Sequence, residues 1–199
     1  PDETISQLSP QECTKLKREG LYICMIKNPN PVAKNVTPQL SDAAFIREKV
    51  PMTKEEIRHV SICKLHLKSD SVLYDVGSGT GSIAVEAASL SDDMEVYAIE
   101  QKENAVQLIT QNREKHGLEN IHVINAKAPD GIDTLPVPTH AFIGGSGGNL
   151  KEIIEALKAK NPHIRIVINA ISMETICEIK EILLSLIHIS EPTRLLSIS

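Results

Sequence analysis

The chain has 199 residues, 41% of them hydrophobic and 3% aromatic, and a formal net charge of −5. That supplies one buried core plus extensions, while the acidic balance excludes non-specific nucleic-acid binding, which needs a basic face. No apolar run is long enough to span a bilayer. The four cysteines (Cys13, Cys24, Cys63 and Cys177) lack the close or repeated spacing of a disulfide framework or a zinc site. They read as reduced, buried or half-buried thiols of a cytoplasmic protein, and no metal is expected.

The chain starts at Pro1 without a methionine or a signal peptide, as a processed product or a fragment would. Residues 1–34 form a first piece. Ser9-Pro10 precedes a charged helical stretch, Gln11 to Glu19, which Gly20 ends. Leu21 to Ile26 reads as a strand, and Asn28-Pro29-Asn30-Pro31 breaks it. One helix and one strand cannot bury a core of their own. The piece is expected to be the edge of something else, followed by a linker.

Residues 35–183 carry a βαβ rhythm. Thr53 with Glu56 three residues on predicts a capping box and a helix start. The pattern then predicts strands at Ser71–Val76, Glu95–Glu100, Ile121–Ala126, His140–Ile143 and Arg165–Ala170. Helices are predicted at Thr80–Ser91, Lys102–His116, Asn149–Ala159 and Met173–Leu183. The strands are mostly apolar rather than alternating, as in a parallel sheet covered on both faces. The last piece, residues 184–199, reads differently. Leu184 to Arg194 matches, over eleven consecutive residues, the peptide obtained by translating a transposase adapter used in sequencing libraries. The tail is therefore expected to be non-native and to carry no functional information.

The chemistry concentrates at Asp75-Val76-Gly77-Ser78-Gly79-Thr80-Gly81-Ser82, between the first strand and its helix. Glycines there let the backbone turn sharply and approach a ligand closely. The spacing Gly77-x-Gly79-x-Gly81 differs from the dinucleotide fingerprint, whose third glycine comes one residue later. With Asp75 two residues before the first glycine, it resembles motif I of the class I S-adenosylmethionine (SAM) methyltransferases. That resemblance makes SAM the expected cofactor and Asp75, Gly77, Ser78, Gly79, Thr80 and Gly81 its expected cradle. Glu100 ends the second strand about twenty residues past the glycines, where an acid holds ribose hydroxyls. The Asn125–Asp130 loop after the third strand, with Ala126 and Ala128, is placed to meet adenine. After the fourth strand, Gly144, Gly145, Ser146, Gly147 and Gly148 can bring backbone amides against a bulky, anionic substrate. The Asn or Asp, prolines and aromatic that many amino- and base-methylating enzymes carry there are absent, which argues against an amine nucleophile.

Taken together, Val50-Pro51-Met52-Thr53-Lys54-Glu55-Glu56, the glycine motif, Ala128-Pro129-Asp130 and the second glycine run resemble the decarboxylating precorrin methyltransferases of cobalamin biosynthesis. The resemblance covers about residues 40–183. It implies an α/β class I fold, a Rossmann-like, mostly parallel sheet with helices on both faces. The antiparallel hairpin that usually closes such a sheet would fall where residues 184–199 stand. It implies methyl transfer from SAM to carbon 15 of (cobalt-)precorrin-6B, with loss of carbon dioxide from the ring-C acetate. It also implies a tetrapyrrole partner, a homo-oligomer for the complete protein, and Thr53 beside the cofactor. Substrate carboxylates call for cations, and Arg47 and Lys49, with Lys54 and Arg58, precede the first strand where a substrate lid sits. No base or decarboxylating residue is named. Pro1–Ile5 and Gly20–Pro29 resemble the carboxy-terminal end of the carbon-5 precorrin methyltransferase, which implies a fused upstream domain. One departure from the family is Ala126-Lys127, where Gly-Asp or Gly-Glu is common, with Asp130 for Glu. Other readings stay open: another class I SAM methyltransferase acting on a small molecule or RNA, a non-catalytic Rossmann-like binding module, or a dehydrogenase domain.

Overall fold

The computed structural model describes residues 8–13, 15, 17, 25 and 37–190. The chain divides into two units, Pro1–Ala33 and Lys34–Ser199. In the first, helix α1 spans Pro10–Cys13, starting one residue before the helix expected over Gln11–Glu19. Its start follows from its sequence. The Ser9 N–H and Oγ each donate to Glu12 Oε2 at 2.7 Å, and the Glu12 N–H returns to Ser9 Oγ at 3.4 Å. This is a reciprocal capping box with proline at the first helical position. The strand expected at Leu21–Ile26 and the linker at Asn28–Pro31 lie outside the described residues, except Met25, which is exposed.

The second unit is built on five strands: β1 (Val72–Val76), β2 (Glu95–Glu100), β3 (Ile121–Asn125), β4 (His140–Ile143) and β5 (Arg165–Ile168). All pair in parallel, in the order β3-β2-β1-β4-β5. This is the doubly wound class I arrangement that the sequence predicts, with each strand end within two residues of its expected place. The chain winds from β1 outward to β3, then crosses back to β4 on the other side of β1. The crevice above the carboxyl ends of β1 and β4 is thus the topological switch point, where ligands bind in open α/β sheets. Val76 stands level with Ile99 and Ile143, so three strands end together beneath that crevice.

Helices α2 (Glu55–Leu65), α3 (Ser82–Ala88) and α4 (Glu103–Lys115) pack on one face, and α5 (Leu150–Lys160) and α6 (Met173–Ser190) on the other. The β-strand alternation feeds both layers: Leu73 joins the first core and Tyr74 the second. Helix α5 shows how the pattern works, burying Leu150, Ile153, Ile154 and Leu157 along one stripe. The edge strands β3 and β5 are less covered than the middle three.

Four expectations change. Helix α2 is capped by Lys54 rather than Thr53, and no side chain bonds the cap. The Thr53 carbonyl instead accepts from Arg58 Nη1 at 2.9 Å. Helix α3 starts at Ser82, not Thr80, because Gly81 holds a left-handed φ of 79° at its cap. Helix α6 runs seven residues past Leu183, to Ser190. Cys63 and Cys177 are free but exposed rather than buried.

A further correction concerns Arg58, expected at a substrate lid. Its side chain is fully buried. Nε donates to Glu86 Oε2 at 3.0 Å and Nη1 to Asp42 Oδ1 at 3.1 Å. Nη2 donates to the Leu40 carbonyl, and the guanidinium lies 4.6 Å over the Phe45 ring. Glu86, equally buried, accepts the Gln39 and Leu40 N–H groups at 2.7 and 3.1 Å. Arginine suits this place because its planar fork serves several acceptors at once. The pair fastens residues 39–45 onto α2 and α3. Removing one partner strands the other charge in the core, so Arg58→Ala should cost about 3–5 kcal/mol of stability in urea titration. An unchanged midpoint would show that the network contributes nothing.

Candidate active site

A cavity of about 560 Å³ opens at the carboxyl ends of β1, β2 and β4, within the usual range for small-molecule sites. Its floor is the turn after β1. Gly77 has φ 69°, and a Cβ there would lie 2.4 Å from the Gly145 carbonyl oxygen. Only glycine allows the two loops to pack so closely. The backbone of Pro51 covers the next glycine: a Cβ on Gly79 would stand 3.1 Å from the Pro51 carbonyl. The Val50–Lys54 segment thus forms one wall, the β1 turn another, and Gly144–Gly147 a third.

Two buried carboxylates position the turn. Glu100 Oε2 accepts the Gly79 N–H at 3.0 Å, and Oε1 accepts the Lys102 N–H at 2.9 Å. A carboxylate offers about four acceptor sites, so Glu100, which lines the cavity, keeps capacity for two hydroxyl donors. Asp75 lies behind the turn, fully buried. Its Oδ2 accepts the Ser78 hydroxyl at 2.6 Å and the Ala84 N–H at 3.1 Å. Asp75 Oδ1 has no partner among the described residues.

The structure brings most of the expected residues to one place. Thr53, Gly77, Ser78, Gly79, Glu100, Ala126, Ala128, Gly144, Gly145, Ser146 and Gly147 all line the cavity. Asp75, Thr80 and Gly81 stand behind its wall. Gly81 packs against Ile109, and the Thr80 carbonyl accepts from Asn112 Nδ2 at 2.8 Å. Gly148 is exposed beyond the lining, and Arg47 and Lys49 are exposed residues that do not reach it. Sequence reasoning passed over Gln101, Lys102, Asn169 and Ile171, which also line the cavity, as does Lys127 of the Asn125–Asp130 loop. Each directly follows a strand end or lies within three residues of one. The rule that ligands sit at carboxyl strand ends was the signal that could have found them.

The precorrin methyltransferase domain family matches residues 43–187. The chain belongs to that family. A protein of Saccharolobus solfataricus, described as a probable cobalt-precorrin-6B C(15)-methyltransferase (decarboxylating), is 43% identical over 146 residues, 71% of this chain and 73% of that one. The cobalt-precorrin-6B C(15)-methyltransferase (decarboxylating) of Salmonella typhimurium is 38% identical over 139 residues, 69% of this chain and 71% of its own. Among solved structures, the precorrin-6y C5,15-methyltransferase of Geobacter metallireducens superposes with a TM-score of 0.71 at 35% identity, covering 77% of this chain and 82% of that chain.

The electrostatics of this precorrin methyltransferase domain centre on Asp75. Burial pushes its carboxyl from 3.8 up to about 7, against the hydrogen bonds from Ser78 and Ala84, and the nearby Glu100 charge adds to the rise. The folded state therefore binds a proton that the unfolded chain has released between those two values. Stability contributed by protonated Asp75 is present at low pH and is lost as pH rises from about 4 to 7. Asp75→Asn keeps an acceptor for Ala84 and removes the titration. Urea midpoints measured across that window should fall with pH in the parent and flatten in the variant. Equal slopes would mean that Asp75 titrates normally.

Proposed function

We propose that this chain transfers the methyl group of SAM to carbon 15 of cobalt-precorrin-6B and releases the ring-C acetate carboxyl as carbon dioxide. The observation that carries the reading is membership of the precorrin methyltransferase domain family over residues 43–187, aligned with relatives named for that reaction. The cavity supports SAM as the cofactor. A backbone cradle that a Cβ would obstruct, an acid with two acceptor sites left, and the Ala126–Ala128 loop beyond it form a graded row along the ends of β1, β2 and β3. Glu100 would take the ribose hydroxyls, Gly77–Gly79 the methionine end, and Ala126 and Ala128 the adenine, with Thr53 closing the near side.

When bound, SAM supplies an electrophilic methyl group. What this chain supplies is placement: the two glycine-rich loops, packed against one another at Gly77 and Gly145, hold donor and acceptor in one cavity. In the overall exchange a carbon–carbon bond forms at the methyl as the sulfur–carbon bond breaks. The electron pair left by departing carbon dioxide is held in the macrocycle until a proton is taken up. We also propose that the complete protein carries a fused carbon-5 methyltransferase domain upstream, is a homo-oligomer and works in the cytoplasm. Residues 184–199 are proposed to be non-native.

Two variants divide the site. Glu100→Ala removes two charge-assisted hydrogen bonds to the cradle as well as the proposed ribose acceptor. At about 1.5–3 kcal/mol for a bond to a charged group, calorimetry should register a loss of SAM affinity of roughly ten- to hundredfold or more. Unchanged affinity would remove Glu100 from the site. Gly145→Val is different, because a Cβ at Gly145 meets nothing within 4 Å and the side chain would project into open cavity. SAM affinity should survive while methylation and carbon dioxide release both fall by at least about tenfold. Full activity in Gly145→Val would mean that the loop is only a hinge.

A further inference from the structure

The cavity carries the opposite charge to the chain that holds it. Its ionisable lining is Lys54, Lys102 and Lys127 against the single acid Glu100, in a chain of net charge −5. Glu100 is already engaged by the Gly79 and Lys102 N–H groups. Lys54 is engaged as well, its ammonium 3.3 Å from Asp42 Oδ2. Among the described residues no acid is paired with the ammonium of Lys102 or of Lys127. Two free cations thus stand at the mouth of the site.

They are not there for the cofactor. SAM carries a sulfonium and an ammonium against a single carboxylate and is itself a net cation, so a cationic rim repels it at range. The rim fits an anionic second ligand. Its position agrees with this: Lys127 Cε and Gln101 Nε2 lie 3.8 and 3.5 Å from where a Cβ on Gly147 would stand. The Lys127 stem therefore runs beside the glycine run that faces the acceptor, from the far side of the cavity. Lys102 follows Glu100 by two residues on the same side.

We propose that Lys102 and Lys127 recognise the peripheral carboxylates of a polycarboxylate macrocycle, and so take the place that Arg47 and Lys49, exposed and off the cavity, do not. The inference rests on the proposed function for the identity of that macrocycle, but not for its charge. Lysine suits the task because several side-chain carboxylates on a large ring need mobile point charges rather than one fixed bidentate fork. Such contacts are partly solvated and therefore sensitive to salt.

The test is a fluorescence titration with uroporphyrin, a polycarboxylate macrocycle, on the full chain at low and high salt. Wild type should bind it with an affinity that weakens as salt rises. Lys102→Gln/Lys127→Gln should bind about tenfold more weakly at low salt and lose most of the salt dependence. A charge-matched control on exposed helix positions, Lys115→Gln/Lys151→Gln, should match wild type. Equal uroporphyrin binding by the rim variant and wild type, or no binding by wild type, overturns the proposal. Turnover of cobalt-precorrin-6B separates the two readings. Uroporphyrin binding through the lysines without turnover leaves the rim standing and removes the proposed function. Turnover with an unaltered KM in the rim variant removes the rim and leaves the function.

Discussion

The site depends on two carboxylates that reach the same turn from neighbouring strands. Asp75, on β1, takes the Ser78 hydroxyl, and Glu100, at the end of β2, takes the Gly79 N–H. A glycine turn is the most mobile of connections in the unfolded chain and costs the most entropy to order. The charge-assisted hydrogen bond that Gly79 N–H donates to Glu100 is of the strong kind that offsets such a cost. Because both acids stand on strands in fixed register, the turn inherits its position from the sheet. The second glycine run follows, since its Gly145 backbone lies so close to Gly77 that Gly77 has no room for a side chain.

A second tier holds the roof over this floor. Residues 39–54 form no strand and only one short 3-10 turn at Asp42–Ala44, so their backbone groups need partners elsewhere. Arg58 and Glu86 supply them for Gln39, Leu40 and Thr53. Asn112 supplies them for Ile46 in both directions, at 2.7 and 2.8 Å, while also binding the Thr80 carbonyl. Roof and glycine turn are therefore tied through one buried amide on α4. A buried arginine pair is weak support for stability in general. Here its effect is geometric, setting where Pro51 meets Gly79.

Much of this was legible in the sequence, and the reasons differ by element. The five strands are runs of apolar residues covered on both faces, and burial on both sides is what such runs signal. The first glycine turn was legible because close backbone approach at Gly77 leaves no alternative residue. Arg58 was misread because charge alone does not tell a surface cation from one whose partners come from residues 16 and 28 positions away. Thr53 and Glu56 form a plausible capping pair in one dimension, yet the Thr53 carbonyl is claimed by Arg58 and the helix starts at Glu55. Lys102 was passed over, and the charge of Lys127 was left unused, for a related reason. Their place at the cavity follows from the strand order, which brings the ends of β2 and β3 beside the Gly144–Gly147 loop, and not from their neighbours in sequence.

The proposed reaction joins a methyl group to carbon 15 of a corrin precursor in this cavity and removes the ring-C acetate carboxyl. The most direct measurement incubates the protein with cobalt-precorrin-6B and SAM bearing an isotopically labelled methyl group, then locates the label in the product by NMR while trapping released carbon dioxide. Label is expected at carbon 15, with carbon dioxide in equal amount to the methyl transferred. Label at another carbon or on nitrogen, or methylation with no carbon dioxide released, would contradict it.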